Sequence, residues 1–166
     1  MNLLRPKGTL AVGALALSAA MLTTTTAMAT KEATPRGGKV LDIVSETTGT
    51  FGVPPDAVAG TQFGFTGKNS LYGTGKPFGT FGVQCLIMAV ETPDSVSQCI
   101  ETFDTPRGQI TVQGIKTDPE NQQPDEFTEA VTGGTGLYAY VTGYADFSRL
   151  NDSSYRVVFH LRNVKY

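Results

Sequence analysis

Residues 105–147 decide the fold of this chain, and they read TPRGQITVQG, IKTDPENQQPDE and FTEAVTGGTGLYAYVTGYADF in turn. Residues 109–114 and 137–147 are rich in Val, Ile, Thr and Tyr, and a glycine directly precedes each segment, as is typical of β-strands. Between them, residues 133–136 read GGTG and supply positions that tolerate a positive φ, as a tight connection between strands needs. The stretch predicts antiparallel β-structure.

Similar segments recur along the chain, and we count eight predicted strands. Gly or Pro lies in most of the gaps, and no window has a sustained helical periodicity. The predicted strands are residues 39–48, 60–66 with 71–72 as one interrupted strand, 82–91, 97–103, 109–116, 127–132, 137–147 and 155–164. Eight antiparallel strands with short turns suit a closed barrel, which has no edge strand and can hold one small ligand. An open sandwich is the alternative architecture.

The first 29 residues have the pattern of a secretory signal peptide. Arg5 and Lys7 precede an apolar run over residues 10–22, and residues 27–29 read AMA, an A-x-A cleavage site. The apolar run is shorter than the roughly 20 residues that a membrane-spanning helix needs. We therefore expect a protein that is secreted to the extracellular space or the cell envelope and does not bind membranes after cleavage. An uncleaved membrane anchor is the alternative.

Cleavage after Ala29 leaves residues 30–166, which have the size of one domain. Residues 30–38 are polar and contain Pro and Gly, which predicts a flexible leader, so the predicted barrel domain is residues 39–166. Without Arg5 and Lys7, the chain has 11 basic residues against 15 acidic ones and a net charge of −4. Basic residues form no cluster, and the sequence therefore favours neither nucleic acid nor an anionic membrane as a partner.

Cys85 and Cys99 are the two cysteines of the chain, and a Thr-Pro-Asp-Ser turn lies between the two predicted strands that carry them. A hairpin of this kind brings two Cβ atoms within bonding distance, and an oxidising compartment favours a disulfide. His160 is the single histidine, and neither cysteine has the spacing of a metal ligand, so the sequence predicts no metal site. Motifs of serine hydrolases and of phosphate-binding loops are missing as well, and we expect no cofactor.

Five motifs occur in a meaningful order: FTGKNSLY at residues 65–72, GVQCLI at 82–87, ITVQG at 110–114, GGTGLY at 133–138 and VFHL at 158–161. In this order they resemble segments of the allene oxide cyclase and dirigent barrel families, over residues 40–164. The resemblance implies an all-β, eight-stranded antiparallel barrel of the calycin-like kind. It also implies a homo-oligomer, either a trimer or a dimer.

The resemblance points to Glu46 and Asn69 as catalytic residues. The cyclases carry a functional Glu on their first strand and dirigent proteins an Asp near the same place, and Glu46 is the match, with Asp42 on the same face of the strand. A carboxyl group inside an apolar barrel would have a raised pKa, which suits acid–base catalysis, whereas the alternative is that both acids face water. The Asn of the FTGKNSLY-like segment binds a water or substrate oxygen in the family. Cys85 falls on a cysteine near the family's pocket, so a free thiol there is the alternative to the disulfide.

Aromatic residues supply further candidates. Alternation places Tyr138, Tyr140 and Tyr144 on one face of the predicted strand 137–147 and small apolar residues on the other, and either face could line the barrel. A cavity lined by the tyrosines would bind a flexible or aromatic ligand. A tyrosine stripe at an oligomer interface is the alternative. The candidate substrate-binding residues are Asp42, Tyr72, Tyr138, Tyr140, Phe159 and His160.

These features predict a barrel that holds a reactive hydrophobic secondary-metabolite intermediate in one geometry. The resembled cyclases constrain an unstable epoxide so that it closes stereoselectively, and dirigent proteins orient radicals or quinone methides. Our interpretation is a stereocontrolling cyclase or isomerase that works mainly by orienting its substrate and excluding water. A non-catalytic secreted carrier of hydrophobic small molecules is the alternative, and a structural or adhesion domain with a filled interior is the third hypothesis.

Overall fold

A computed structural model describes residues 38–52, 58–91 and 93–165, all within the unit Pro35–Tyr166. The predicted signal peptide, residues 1–29, and all but the last residue of the predicted leader lie outside the described residues. In the part of the chain that is described, no helix is long and apolar enough to cross a membrane.

The described residues form a closed barrel of eight antiparallel strands. Each strand pairs with its neighbours in sequence, and β8 pairs with β1, so the predicted barrel is confirmed. The strands are β1 (Lys39–Phe51), β2 (Gln62–Leu71), β3 (Pro77–Glu91), β4 (Asp94–Thr105), β5 (Gly108–Asp118), β6 (Glu126–Gly134), β7 (Thr142–Asn151) and β8 (Ser154–Arg162). The helical elements found among the described residues are two 3₁₀ turns, Pro119–Asn121 and Gly136–Tyr138.

Several predicted strand ends differ from the observed ones, and two of the predicted strands are wrong in more than the position of an end. The second strand is not interrupted, because residues 67–70 pair with both β1 and β3. The seventh strand begins at Thr142 and not at residue 137, because the chain turns through Gly136–Tyr138 first. Gly136 has a φ of +59°, and a Cβ there would collide with the carbonyl oxygen of Arg107, so only glycine fits this turn.

One half of the barrel interior is an apolar core. The Phe103 ring packs edge-on against Phe159, with 5.0 Å between ring centroids, and Ile43, Ile110 and Val157 are fully buried beside them. The connection between β6 and β7 closes this end, since it carries the buried side chains of Tyr138 and Val141. Burial of an aromatic or branched aliphatic side chain of this size contributes about 1.5–3 kcal/mol to folding.

Cys85 and Cys99 lie directly opposite each other in the register of β3 and β4 and form a disulfide, with 4.1 Å between their Cα atoms. Both side chains point into the barrel and are buried. The predicted disulfide is confirmed, and the alternative of a free Cys85 thiol is excluded in the structure. The bridge ties β3 to β4 in the middle of the wall.

Candidate functional site

Three ionisable side chains meet inside the barrel, in the half that the apolar core does not fill. The Lys116 ammonium on β5 donates to Glu101 Oε1 on β4 at 3.3 Å and lies 3.6 Å from Glu129 Oε1 on β6. Glu101, Lys116 and Glu129 are 4%, 7% and 2% exposed, respectively. We call these three residues the charged cluster.

Strand alternation brings the cluster inside. On β4, Glu101 follows the buried Cys99 by two residues and therefore points the same way, and Lys116 lies in the same phase as the buried Ile110 and Val112 of β5. Gly114 creates the space that Glu129 occupies, because a Cβ at residue 114 would lie 2.8 Å from the Glu129 Cγ atom. The glycine of the ITVQG motif thus makes room for a buried carboxyl group.

The environment shifts the protonation of all three groups. Burial raises the pKa of Glu101, against the opposing effect of Lys116. Burial, with repulsion by Glu101, raises the pKa of Glu129 to about 8. Burial alone would lower the pKa of Lys116, but the charges of Glu101 and Glu129 outweigh it and raise this pKa. At neutral pH Glu129 is therefore mostly a protonated carboxylic acid, and it lies beside the Lys116 ammonium.

Within the described residues, neither carboxyl oxygen of Glu129 has a hydrogen-bond partner. A buried polar group without a hydrogen bond is costly, so such groups are rare in folded proteins. A carboxylic acid kept neutral by its surroundings retains a proton to donate, which gives Glu129 the capacity to act as a hydrogen-bond donor or general acid.

Aromatic rings surround the cluster. The Lys116 ammonium lies 4.0 Å from the centre of the Phe127 ring, and Phe127 stacks on Phe147 with 4.4 Å between centroids. Glu101 and Lys116 reach an internal cavity of about 40 Å³. Its other lining residues are Ser45, Thr47, Phe65, Phe81, Val83, Gln123, Phe127, Phe147 and Tyr155.

The cavity opens towards a wider depression of about 530 Å³, which we call the mouth. Thr47, Phe65, Gln123 and Tyr155 line both the cavity and the mouth, so these four residues form the neck between them. Further out, the mouth is lined by Thr50, Gln122, Arg149, Asp152 and Ser153. The mouth is large enough for a ligand of drug size, whereas the inner cavity is not.

A second buried polar pair accompanies the cluster. The Ser97 hydroxyl donates to Asp118 Oδ2 at 2.6 Å, and both residues point into the barrel. Burial raises the pKa of Asp118, while Ser97 and Lys116 oppose the shift. This half of the interior is therefore polar and ionisable along β4 and β5.

The predicted orientation of Glu46 is wrong. Its side chain is exposed on the outer face of β1, because Ile43 and Ser45 of the opposite phase fill the interior. Asp42 shares the outer face and forms an ion pair with Arg156 on β8, with 2.7 Å between Asp42 Oδ2 and the Arg156 guanidinium. The hydrophobic effect favours burial of the face that carries Ile43, so the two acids on the opposite face remain at the surface.

Asn69 lies inside the barrel, near the cavity. Its Oδ1 accepts a hydrogen bond from Ser45 Oγ at 2.8 Å, and its Nδ2 donates to the Thr80 carbonyl at 2.9 Å. Both ends of the side-chain amide are thus engaged, and Asn69 orients the cavity-lining Ser45 hydroxyl. Phe159 also points inwards, but it belongs to the apolar core.

The remaining candidate residues lie away from the cavity. Tyr138 is buried in the closed end of the barrel, and Tyr140 is exposed beneath the Lys165 ammonium, 4.3 Å from its ring centre. Tyr72 is exposed, with the Arg156 guanidinium 4.1 Å from its ring centre. His160 lies on the outer face, where it stacks on Tyr144 and contacts Asp146 Oδ2 at 3.1 Å. The predicted Tyr-lined cavity is therefore wrong, since the 3₁₀ turn changes the phase of residues 138–140.

Sequence reasoning missed Glu101, Lys116 and Glu129, although a signal for one of them was available. A disulfide between Cys85 and Cys99 across a barrel hairpin suggests inward cysteines, and alternation from Cys99 then places Glu101 inside. Among the described residues, no group of three or more His, Cys, Asp or Glu side chains is arranged to hold a metal ion.

Comparison with known proteins shows a family to which the sequence of this chain is similar. Residues 62–161 match the family model described as the allene oxide cyclase barrel like domain. A sequence search of curated proteins finds no match.

Several solved structures share the barrel. A pyocyanin demethylase is 23% identical, with a TM-score of 0.62 over 75% of this chain and 100% of that chain. A Diels–Alderase from Streptomyces koyangensis is 18% identical, with a TM-score of 0.63 over 76% of this chain and 64% of that chain. A pterocarpan synthase dirigent protein is 15% identical, with a TM-score of 0.56 over 76% of this chain and 94% of that chain. At these identities the similarity concerns the fold.

Proposed function

Because this chain belongs to the family of allene oxide cyclase barrel-like domains, we propose that it binds a reactive hydrophobic intermediate of secondary metabolism and directs its cyclisation or isomerisation. The observation that carries the proposal is the charged cluster at the inner end of an aromatic-walled cavity. A structural domain has no need of a buried ionisable group without a hydrogen-bond partner, and the third hypothesis is the weakest for that reason.

The polar end of the substrate would enter the cavity, and the bulk of the substrate would remain in the mouth. An inner volume of about 40 Å³ accepts a group such as a carbonyl or epoxide oxygen, and a volume of about 530 Å³ accepts a folded hydrocarbon chain or ring system. A free substrate samples many conformers, whereas the barrel would hold the reacting carbon atoms close together. This loss of unproductive conformers would supply much of the rate enhancement.

Lys116 would then act directly on the substrate oxygen, and Glu129 would act through Lys116. Negative charge that develops on this oxygen during ring closure would be stabilised by the Lys116 ammonium, at a site from which the bound substrate displaces water. Glu129 does not line the cavity, but it holds a proton 3.6 Å from the Lys116 ammonium, because its pKa is raised to about 8, and it can resupply a proton that Lys116 gives to this oxygen. Glu101 acts as a positioning residue, because its hydrogen bond with Lys116 holds the ammonium in place.

Activity assays of paired variants test this mechanism. A thermal-shift screen with polyene and polycyclic carbonyl or epoxide compounds identifies ligands, and chiral chromatography then reveals whether the bound compound is converted. We expect Glu129→Gln to fold normally, because the amide resembles the neutral acid in shape, and to lose about 10²–10⁴-fold in turnover. Glu46→Gln on the outer face is the matched control and should keep full turnover.

A carrier of hydrophobic small molecules remains the second candidate, and the width of the mouth favours it. Carriage depends on shape and apolar contact, so Glu129→Gln would leave ligand affinity unchanged. If every ligand found in the screen is recovered unaltered after prolonged incubation with the wild-type protein, the cyclase proposal is wrong and the carrier replaces it.

A further inference from the structure

The neck between the mouth and the inner cavity has one member that is not part of the barrel wall. Thr47, Phe65 and Tyr155 lie on β1, β2 and β8, whereas Gln123 lies in the connection between β5 and β6. We call residues 119–125 the strap. Its backbone runs across the polar end of the barrel, and Gln123 is half-buried beneath it.

The strap is fastened to the neighbouring hairpin on the side of Gln123. The Arg149 guanidinium on β7 donates to the Gln123 carbonyl, and the Tyr155 hydroxyl on β8 donates to the Pro124 carbonyl at 2.7 Å. The Arg149 backbone N–H donates to the Asp125 carbonyl at 2.7 Å. These bonds fix the backbone at residues 123–125, and therefore the position from which Gln123 lines the neck.

At its other end the strap is attached to β4. The Glu120 backbone N–H donates to Asp94 Oδ1 at 3.0 Å, and Glu120 has a φ of +49°, a left-handed conformation that is uncommon for a residue other than glycine. The strap is thus tied on both sides of the barrel end, and the position of Gln123 follows from these attachments.

The inner cavity is much smaller than the mouth, and this difference limits which part of a ligand can reach Lys116. An internal cavity of about 150 Å³ in another protein binds benzene, so the cavity of about 40 Å³ here is too small for an aromatic ring in this conformation. The end of a ligand that reaches Lys116 must therefore be narrow.

We infer that Gln123 is a specificity-determining residue, which admits ligands whose polar end is a slender oxygen-bearing group and rejects those whose polar end is a ring. This inference rests on the proposed function in that it names the substrate class of the same site. Gln122 offers a matched control, because it is the adjacent residue of the same type and lines the mouth alone.

A reporter thiol inside the cavity tests the inference without any substrate. Ser45 lines the cavity and not the mouth, and Ser45→Cys is a conservative change. The rates of its modification by methyl methanethiosulfonate and by benzyl methanethiosulfonate are measured by mass spectrometry, in combination with Gln123→Ala or Gln122→Ala. The ratio of the two rates cancels any effect of burial on the thiol itself, and peptide masses from a non-reducing digest verify that Cys85 and Cys99 remain paired.

Truncation of Gln123 vacates space at the neck, where the benzyl ring can lie while the reactive sulfur reaches residue 45 in the cavity. We therefore expect Gln123→Ala to raise the rate ratio of the benzyl to the methyl reagent by about tenfold, which corresponds to about 1.4 kcal/mol of barrier. Gln122→Ala should leave the ratio unchanged, and Gln123→Phe should slow even the methyl reagent. An unchanged ratio with Gln123→Ala, or an equal rise in both alanine variants, would overturn the inference. A thiol that neither reagent reaches in any variant would overturn it too, since the neck would then not be the entrance. Because modification needs no turnover, the outcome is independent of whether the protein is a cyclase.

Discussion

At the scale of single residues, Glu129 determines how stability depends on pH. The usual pKa of a glutamate is 4.5, and in the folded protein that of Glu129 is about 8, so the folded state binds more protons than the unfolded state between these values. Stability therefore falls as the pH rises from about 4.5 to 8. We expect Glu129→Gln to reduce the difference in unfolding free energy between pH 5 and pH 8 by a few kcal/mol, as measured by urea unfolding.

Two other buried acids contribute in the same direction, because burial raises the pKa of both Glu101 and Asp118. Some dependence on pH will thus remain in the Glu129→Gln variant. Glu46→Gln, on the outer face of β1, is the control and should behave as the wild type does. If the slope between pH 5 and pH 8 is the same in Glu129→Gln and in the wild type, the assignment of a neutral Glu129 is incorrect.

Removal of the Lys116 charge should cost far more than removal of a surface charge. Lys116→Met leaves two buried carboxyl groups without their cation, and loss of one partner from a buried ion pair typically costs about 3–5 kcal/mol. We expect the double variant Glu101→Gln/Lys116→Met to recover most of this loss, because it replaces charge on both sides. Chemical denaturation provides the measurement, and Lys68→Met on the outer face of β2 is the control, with an effect of about 0.5 kcal/mol or less.

The contrast between Glu46 and Glu101 shows what alternation alone decides. Alternation separates the two faces of β1 in the sequence, but it does not say which face points inwards. The family resemblance favoured the face of Glu46, whereas in the structure the face of Ile43 is buried. On β4 Glu101 is inside because a lysine from β5 neutralises it, and on β6 Glu129 is inside because Gly114 leaves room for its side chain. These contacts join residues on different strands, so the alternation pattern of any single strand could not predict them.

At the scale of strands, Gly114 on β5 should be far less tolerant of substitution than Gly82 on β3. A Cβ at residue 114 would press on the Glu129 side chain at 2.8 Å, whereas a Cβ at residue 82 meets nothing within 4 Å. We expect Gly114→Ala to destabilise the protein by about 1–3 kcal/mol through overpacking. Gly82→Ala should be neutral or stabilising by up to about 1 kcal/mol, because alanine has less freedom in the unfolded chain.

Thermal or urea unfolding of the two alanine variants gives the comparison directly. Equal effects would mean that Gly114 is required for the strand itself and not for the space that Glu129 occupies. Restoration of stability in Gly114→Ala/Glu129→Ala would identify the contact as the cause.

The hairpin of β3 and β4 should depend on its disulfide. The bridge spans a sequence separation of 14 residues, and closure of a loop of about 15 residues contributes about 3 kcal/mol in the chain-entropy model. We expect Cys85→Ala/Cys99→Ala to lose stability of that order. Thiol titration of the unfolded, unreduced wild-type protein should find no free cysteine, and two titratable thiols would contradict the bridge.

Strand number and order were predictable, but the phase of one strand was not. Residues 137–141 have the composition of a strand, yet Gly136 turns the chain into a 3₁₀ helix, and β7 begins only at Thr142. Propensity therefore identified the segment as β-forming, and the backbone geometry of one glycine changed which tyrosines point inwards. For the same reason the predicted ligand contacts of Tyr138 and Tyr140 do not occur at the cavity.

At the scale of the whole molecule, the barrel divides its interior between stability and chemistry. The end closed by Tyr138 and Val141 is apolar and tightly filled, while the opposite half contains the charged cluster, the cavity and the neck. A filled core on one side and the disulfide in the wall offset the cost of burying three ionisable groups. The fold can thus keep a polar site in a rigid frame, as a catalyst that works by orientation requires.

The outer surface of β3, β4 and β5 gives the last prediction, which is that copies of the chain associate as a dimer or trimer. Leu86, Met88, Ile100 and Ile115 are exposed there, and Ile100 lies between Gln84 and Gln113 in the register, so this face is apolar or uncharged. Exposed apolar surface of this extent is typical of a protein interface. We expect Ile100→Lys to produce monomers in light scattering at micromolar concentration. Val40→Lys, on β1 three strands away, should leave the mass unchanged, and a monomeric wild type would refute the prediction.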